Sequence, residues 1–227
     1  MIRLGIVSDT HYPTRLPRLP YEALEDAFRE VDAIVHAGDI ESEDVLHHLS
    51  EIAPVQAVRG DDDHFSLPLT RVLNFGGVRV GLTHGHFNPV IEEVLRIRRR
   101  FGYSGYREML QRRDWLLGRF EGHNLDVLIF GHAHIPYCEQ HKGVLLFNPG
   151  AVYTLTLDSA QWQLKREKNP ARRRMLRRKI REYLTQPTTA VPRSTVGILE
   201  IAEDHAITPR VIDLPLVDYP LVSAASR

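Results

Sequence analysis

Residues 2–11 read Ile2-Arg3-Leu4-Gly5-Ile6-Val7-Ser8-Asp9-Thr10-His11. The apolar run from Ile2 to Val7 predicts a strand, and Asp9 and His11 follow just beyond its end. In an open α/β sheet, ligand sites form outside the carboxyl ends of strands. A carboxylate oxygen beside an imidazole nitrogen suits a divalent ion of the manganese, iron, cobalt or zinc type. An isolated Asp-x-His pair arises readily by chance. This one gains weight because similar strand-end clusters recur four more times along the chain.

Downstream, Tyr12 to Pro20 is a loop punctuated by Pro13, Pro17 and Pro20. Tyr21 to Glu30 predicts a helix with Leu24, Ala27, Phe28 and Val31 on one face. Asp32 to Ala37 is a second strand ending at Gly38-Asp39, and a helix over Ser42 to Ser50 turns Val45, Leu46 and Leu49 inward. Val55 to Val58 is a third strand, ending at Arg59-Gly60-Asp61-Asp62-Asp63-His64. Thr70 to Phe75 and Val78 to Thr83 form a hairpin about Gly76-Gly77, and its second strand ends at His84-Gly85-His86. Asp126 to Phe130 is another buried strand, ending at Gly131-His132-Ala133-His134. Val144 to Phe147 leads through Asn148-Pro149-Gly150 into Ala151 to Leu157, and the last strands are Val196 to Ile201 and Pro209 to Leu214. Helices alternate with the early strands, while the later half is mostly strands. The expectation is an αββα sandwich, two mixed sheets with helices outside.

Two stretches break this rhythm and read as helical insertions in a single domain spanning 1–227: about 88–123 and about 159–192. In the first, Ile91, Val94 and Leu95 precede Arg96 and Arg98–Arg100, and after the Gly102–Gly105 break Met109, Leu110, Leu116, Leu117 and Phe120 recur at helical spacing. In the second, Asn169 and Pro170 read as N-cap and first helical residue. Leu176, Ile180, Tyr183 and Leu184 share one face there, and Arg173, Arg174, Arg177, Arg178 and Arg181 crowd the rest.

A hydrophobic content of 43% and a charged content of 26% are ordinary globular values, and a formal net charge of zero marks neither a nucleic-acid nor a membrane protein overall. The lone Cys138 excludes an internal disulfide framework. With no presequence before Ile2 and no apolar run of membrane-span length, the expectation is a cytoplasmic protein with no membrane partner. Apolar faces on both insertions admit a homodimer.

Taken in order, Asp9-x-His11, Gly38-Asp39, Gly60-Asp61-Asp62-Asp63, His84-Gly85-His86 and Gly131-His132-x-His134 resemble the calcineurin-like metallophosphoesterase family. The likeness covers Met1 to Leu157 and the closing strands. Size and the Asn148-Pro149-Gly150 turn are similar to its short bacterial and archaeal phosphodiesterase branch. The protein-phosphatase branch fits poorly, because Ile40-Glu41-Ser42 follows Gly38-Asp39 in place of Val-Asp-Arg-Gly.

The resemblance implies two divalent ions, with manganese foremost and iron, zinc, cobalt or nickel of the same class, about 3.5–4 Å apart. It implies that Asp9, His11 and His134 hold the first ion, Asp39 bridges, and Asp61, His84 and His132 hold the second. A metal-bridging hydroxide would then attack phosphorus in line. It also implies that Asp63 orients a neighbouring histidine. Arg59 and Asn148 are candidate contacts to the substrate phosphate, although Asn148-Pro149-Gly150 reads first as a tight turn. Singly, each residue has a plainer reading: a glycine-flanked histidine is often a loop residue, and Asp9 and Asp39 suit helix N-caps. Those plainer readings do not explain seven candidate ligands at strand ends in one order.

Three departures shape the expected activity. The family usually has Asn where this chain has Asp61. Two dications less Asp9, Asp39 and a hydroxide leave about +1 with asparagine and about zero with Asp61. That penalises a dianionic monoester more than a monoanionic diester. Second, Asp62 stands where some branches place a histidine proton donor, so Asp62, His64 and His86 are the candidates for that role. Third, the basic insertions offer Arg173, Arg174, Arg177 and Arg178 to a nucleic acid or nucleotide. The leading expectation is a metal-dependent phosphodiesterase. The alternatives are a weakly catalytic metal-binding scaffold, since a retromer relative uses this fold for protein partners, and a nuclease-like enzyme.

Overall fold

The computed structural model describes residues 1–87, 90–92, 94, 97, 105–185 and 193–217, and of 105–111 the backbone alone. The arginines expected at 96 and 98–100, Leu95, the Gly102 break and the end of the second insertion at 186–192 lie outside the described residues, as do the side chains of Met109 and Leu110.

One sheet contains β1 (Ile2–Val7), β2 (Ala33–His36), β3 (Val55–Ala57), β9 (Ser194–Ile201) and β10 (Ile207–Leu214) in the order β10-β9-β1-β2-β3. The other contains β4 (Thr70–Phe75), β5 (Val78–Thr83), β6 (Val127–Ile129), β7 (Tyr137–His141) and β8 (Val144–Asn148) in the order β4-β5-β6-β8-β7. Both are mixed. β1, β2 and β3 run parallel with β9 antiparallel beside β1, and β5, β6 and β8 run parallel with antiparallel edges.

The central strands β1, β2, β6 and β8 are buried on both faces because each sheet is covered on both sides there, while the edge strands β4, β7 and β10 expose alternate residues. Leu4 and Ile6 of β1 pack between the sheets against Val80, Leu82, Val127, Ile129, Leu145 and Phe147. The alternate residues point outward, as the two-residue period of a strand requires. Val7 and Ile34 meet Leu24 and Phe28 of α1 (Tyr21–Phe28) and Val45 and Leu49 of α2 (Glu43–Ile52). Leu128 and Leu146 meet Leu116 of α3 (Gly105–Gly118) and Phe120. Each fully buried side chain of this size contributes about 1.5–3 kcal/mol. The outcome is the expected sandwich of two sheets between helices.

The hairpin about Gly76-Gly77 closes with Phe75 opposite Val78, as expected. β7 was not expected. Its sequence, Tyr-Cys-Glu-Gln-His, is too polar to read as a strand, and it pairs at the sheet edge with β8 through Lys142-Gly143, both at positive φ. The extended run expected from Ala151 stops short. Leu157 instead opens α4 (Leu157–Arg166), which is closed by a capping box between Thr156 and Ser159. Asn169 caps α5 (Pro170–Thr185) through the amides of Ala171 and Arg172. Leu176 is buried as expected, but Leu184 is 64% exposed and leaves that face.

Candidate metal centre

The carboxyl ends of β1, β2, β3, β5 and β6 open at one edge of the sandwich, where the two sheets bring their loops together. Asp9, His11, Asp39, His132 and His134 all sit at positive φ, between 47° and 67°. Such backbone is uncommon for residues with a side chain and is found most often where a site over-determines it. The loops are tied to their neighbours within each sheet. Asp9 N donates to Gly38 O, His11 N to Asp39 O and Gly131 N to His84 O, each at 3.0 Å. Gly131 lies so close to Ser8 and Asp9 that a Cβ there would collide with both.

This architecture draws the seven candidate ligands into two groups that share one residue. Asp9, His11, Asp39 and His134 form the first, and Asp39, Asp61, His84 and His132 the second. In the first, His134 Nε2 lies 3.0 Å from Asp9 Oδ1 and His11 Nε2 lies 3.4 Å from Asp39 Oδ2. In the second, His84 Nε2 lies 3.3 Å from Asp39 Oδ2 and 3.0 Å from Asp61 Oδ1, and His132 Nδ1 lies 3.1 Å from Asp61 Oδ1. Donors about 2.1 Å from a common ion are separated by about 3.0–3.4 Å in octahedral or tetrahedral arrangements.

Two further features fit divalent ions. Asp9 Oδ1 and His84 Nε2 are buried and make no well-directed hydrogen bond, and their close polar neighbours are other members of the two groups. The histidine rings are also oriented from behind. His84 Nδ1 lies 2.7 Å from Ala37 O and His11 Nδ1 2.6 Å from Glu41 Oε1. A proton on each Nδ1 leaves the Nε2 lone pair facing the cluster, as metal-ligating histidines require. The mixed oxygen and nitrogen donor set matches manganese, iron, cobalt, nickel or zinc.

Charge coupling holds the cluster together. Burial pushes the Asp9 carboxyl up, but the rings of His134, His84 and His11 outweigh it and hold it well below the usual carboxylate range. Asp39 and Asp61 are lowered in the same way, Asp39 mainly by His84 and Asp61 by His132 and His84. Burial disfavours the charged forms of His84 and His132, yet Asp39 and Asp61 for the first, and Asp61 and Glu92 for the second, raise both above the ordinary value.

The other candidates are distributed unevenly. His86 is close, with its ring centroid 5.5 Å from that of His84, and burial and the His84 charge push it down to about 4. Asp62 is ion-paired with Arg15 at the mouth. His64 and Arg59 are exposed and belong to neither group. Asp63 does not orient a histidine ring. Its carboxylate accepts from the backbone amides of Gly60, Asp39, Ile40 and Glu41 at 2.7–3.1 Å and so fixes the loop that carries Asp39. Asn148 is committed within the fold. It is fully buried, its Nδ2 donates to Gly131 O at 2.8 Å, and its Oδ1 accepts from Gly150 N at 2.9 Å.

Sequence reading missed Glu41, Glu92, Arg15, Tyr153 and His36. Arg15 Nη1 lies 3.2 Å from His11 Nε2, with its guanidinium 5.6 Å from the Tyr153 ring centroid. Tyr153 stands edge-on to His11 and His134. His36 is buried, with Nδ1 accepting from Gly38 N at 3.1 Å and Nε2 facing Thr10 Oγ1 at 3.3 Å. None of these has a spacing signature.

With this geometry in place, the family is clear. The chain belongs to the calcineurin-like phosphoesterase superfamily, whose domain description matches residues 2–162. A probable metallophosphoesterase from Methanothermobacter thermautotrophicus is 37% identical over 151 residues, covering 65% of this chain and 76% of the relative. A phosphodiesterase from Methanocaldococcus jannaschii is 26% identical over 165 residues, covering 66% of this chain and 83% of its own. The crystal structure of wild-type Vps29 complexed with Zn2+ from Entamoeba histolytica shares the fold, with a TM-score of 0.52 at 20% identity over 93% of this chain and 99% of that one. No helix among the described residues is long and apolar enough to cross a membrane.

The buried neutral histidines set a pH dependence for the metal-free protein. Burial pushes His36 and His86 down to about 4 from an ordinary 6.5, and it also lowers His11. Between about 4 and 6.5 the unfolded chain therefore binds protons that the folded chain does not, and stability falls as pH falls. His84 and His132, raised above 6.5, contribute fully below 6.5 and lose their contribution only as pH rises through their raised values. The lowered Asp9, Asp39 and Asp61 act below about 4. Asp62, which burial raises, opposes the trend near its lower edge. The urea midpoint of metal-free protein should fall from pH 6.5 toward 4, and His36→Gln should flatten that slope. An unaltered slope in the variant would contradict the assignment.

Proposed function

We propose that this chain is a two-metal phosphodiesterase, with residues 1–227 forming one domain that carries both helical insertions. The observation that carries this reading is the pair of complete four-residue groups meeting at Asp39. Asp9, His11, His134 and Asp39 would hold one ion, and Asp39, Asp61, His84 and His132 the other, with Mn2+ as the first choice. Such ions supply Lewis acidity at phosphorus and ionise water at neutral pH.

The remaining work belongs to the chain. Asp39 and Asp61 hold negative charge at the centre, which favours a monoanionic diester over a dianionic monoester. Arg15 replaces Arg59 and Asn148 as the phosphate contact. It lies beside the first group, is 21% exposed, and is braced by Asp62. A guanidinium so placed can grip a non-bridging phosphoryl oxygen. No candidate proton donor is well suited. His86, pushed down to about 4, is neutral at pH 7; Asp62 is paired with Arg15; His64 is exposed away from both groups. Diesters whose leaving group departs without protonation are therefore the favoured substrates.

Metal-loaded protein should hydrolyse bis(p-nitrophenyl) phosphate faster than p-nitrophenyl phosphate. Binding of Mn2+ without hydrolysis of either would favour the scaffold reading, for which the Vps29-like fold is the precedent. Asp61→Asn should raise turnover, more for the monoester, and weaken metal retention, each by about tenfold. Tighter retention with lower turnover would count against the charge argument. Arg15→Ala should raise KM by about tenfold or more at nearly unchanged metal content, as loss of a charge-assisted hydrogen bond requires.

One observation favours a polymeric substrate. α5 carries seven cationic side chains against the single carboxylate of Glu182. Arg174, Arg177, Arg178 and Arg181 recur at i, i+3, i+4 and i+7 and are all exposed. Like charges at that spacing cost helix stability and are relieved by a polyanion. Arg173 does not belong to this stripe, because its Nη1 donates to Leu164 O and Glu167 O at the end of α4. The preceding helix, α4, also reaches the centre, since Gln163 Nε2 donates to the Tyr153 hydroxyl at 2.8 Å. Single-stranded oligonucleotide should bind with a salt dependence whose log–log slope falls by about 2 in Arg174→Gln/Arg177→Gln/Arg181→Gln. A slope unchanged by the substitutions leaves the stripe as a solvated face.

A further inference from the structure

We infer that Glu92 positions His132 for the second metal, so that the first helical insertion is a working part of the metal centre. The inference rests on the two-ion reading above. Glu92 Oε1 lies 3.2 Å from His132 Nε2, while the other ring nitrogen, Nδ1, lies 3.1 Å from Asp61 Oδ1. A proton held on Nε2 by Glu92 leaves the Nδ1 lone pair directed at the point where Asp61 and His84 converge. This mirrors the other half of the centre, where Glu41 stands behind His11 at 2.6 Å. Each half thus has a carboxylate behind one of its histidines, the arrangement that fixes tautomer and ring direction in metal sites.

Glu92 is itself held on three sides. Phe87 N donates to it at 2.8 Å, and Arg112 Nη2 reaches its two oxygens at 2.9 and 3.2 Å. Arg112 is 3% exposed and uses Nη1 to donate to Gly85 O at 2.7 Å, one residue beyond His84. Its guanidinium stacks 4.3 Å above Phe87, whose ring lies 4.1 Å from that of Trp115. The loop leaving β5, the start of the insertion and α3 therefore close around His132. Burying the Arg112 guanidinium in a pair with the partly buried Glu92 carries a desolvation cost that packing alone does not recover. A third contact, from the carboxylate to a ring nitrogen beside the metal groups, gives the pair a task.

The test is a calorimetric titration of the metal-stripped 227-residue chain with Mn2+, paired with hydrogen exchange of α3. Wild type should take up two ions, and the second should slow exchange in α3. Glu92→Ala should lower affinity at one site by about 10–100-fold, leave the other unchanged, and lose the α3 protection. Glu92→Gln keeps an acceptor and the side-chain volume, should fall between the two, and carries the test if the alanine variant does not fold. Glu41→Ala should weaken a site without affecting α3. Two ions bound by Glu92→Ala with wild-type affinities would overturn the inference alone. Fewer than two ions in wild type would overturn the two-ion reading and this inference with it.

Discussion

Everything at this centre depends on one oxygen. Asp39 Oδ2 lies 3.4 Å from His11 Nε2 and 3.3 Å from His84 Nε2, so it belongs to both ligand groups at once. Its partner oxygen is already committed, accepting from Asp62 N at 3.0 Å. The carboxylate can therefore face the seam in only one way. Asp63 secures it by collecting four backbone amides from the Asp39 and Gly60 loops. Gly60 permits the approach, because a Cβ there would run into the Asp39 side chain.

The ligand groups draw differently on the two sheets. Asp9, His11, Asp39 and Asp61 follow strands of the β1-containing sheet, whereas His84, His132 and His134 follow strands of the β5-containing sheet. Every carboxylate thus comes from one side and most of the rings from the other. The apolar layer between the sheets, with Ile6 against Phe147 and Val127, sets their separation. Packing far from the site in this way determines ligand distances within it.

Much of this was legible in the residues themselves. Strands such as Ile2–Val7 and Val127–Ile129 are apolar on both faces, and that signal survives without knowledge of their neighbours. The ligand candidates were legible because strand ends place them at fixed points in the chain. What escaped reading depends on contacts between distant loops. Glu41 and Glu92 act through a ring brought close by the fold, and nothing in their spacing marks them. Asp63 resembled its acidic neighbours, and only the structure shows that it accepts from backbone rather than from a histidine. β7 was hidden because an edge strand needs apolar residues on one face alone, and Lys142-Gly143 is not among the commonest hairpin turns.

The division of ligands between the sheets has a consequence for the life of the chain. Neither ligand group exists within one sheet: Asp39 must meet His134 for the first, and His84 and His132 for the second. A chain emerging from synthesis presents Asp9, Asp39 and Asp61 long before His132 and His134 arrive. The early segment offers three of the candidate carboxylates but only one of the four candidate ligand imidazoles, that of His11, and the full donor sets appear only when the sheets dock. An ion that needs either full donor set can therefore be held only once the two sheets have docked.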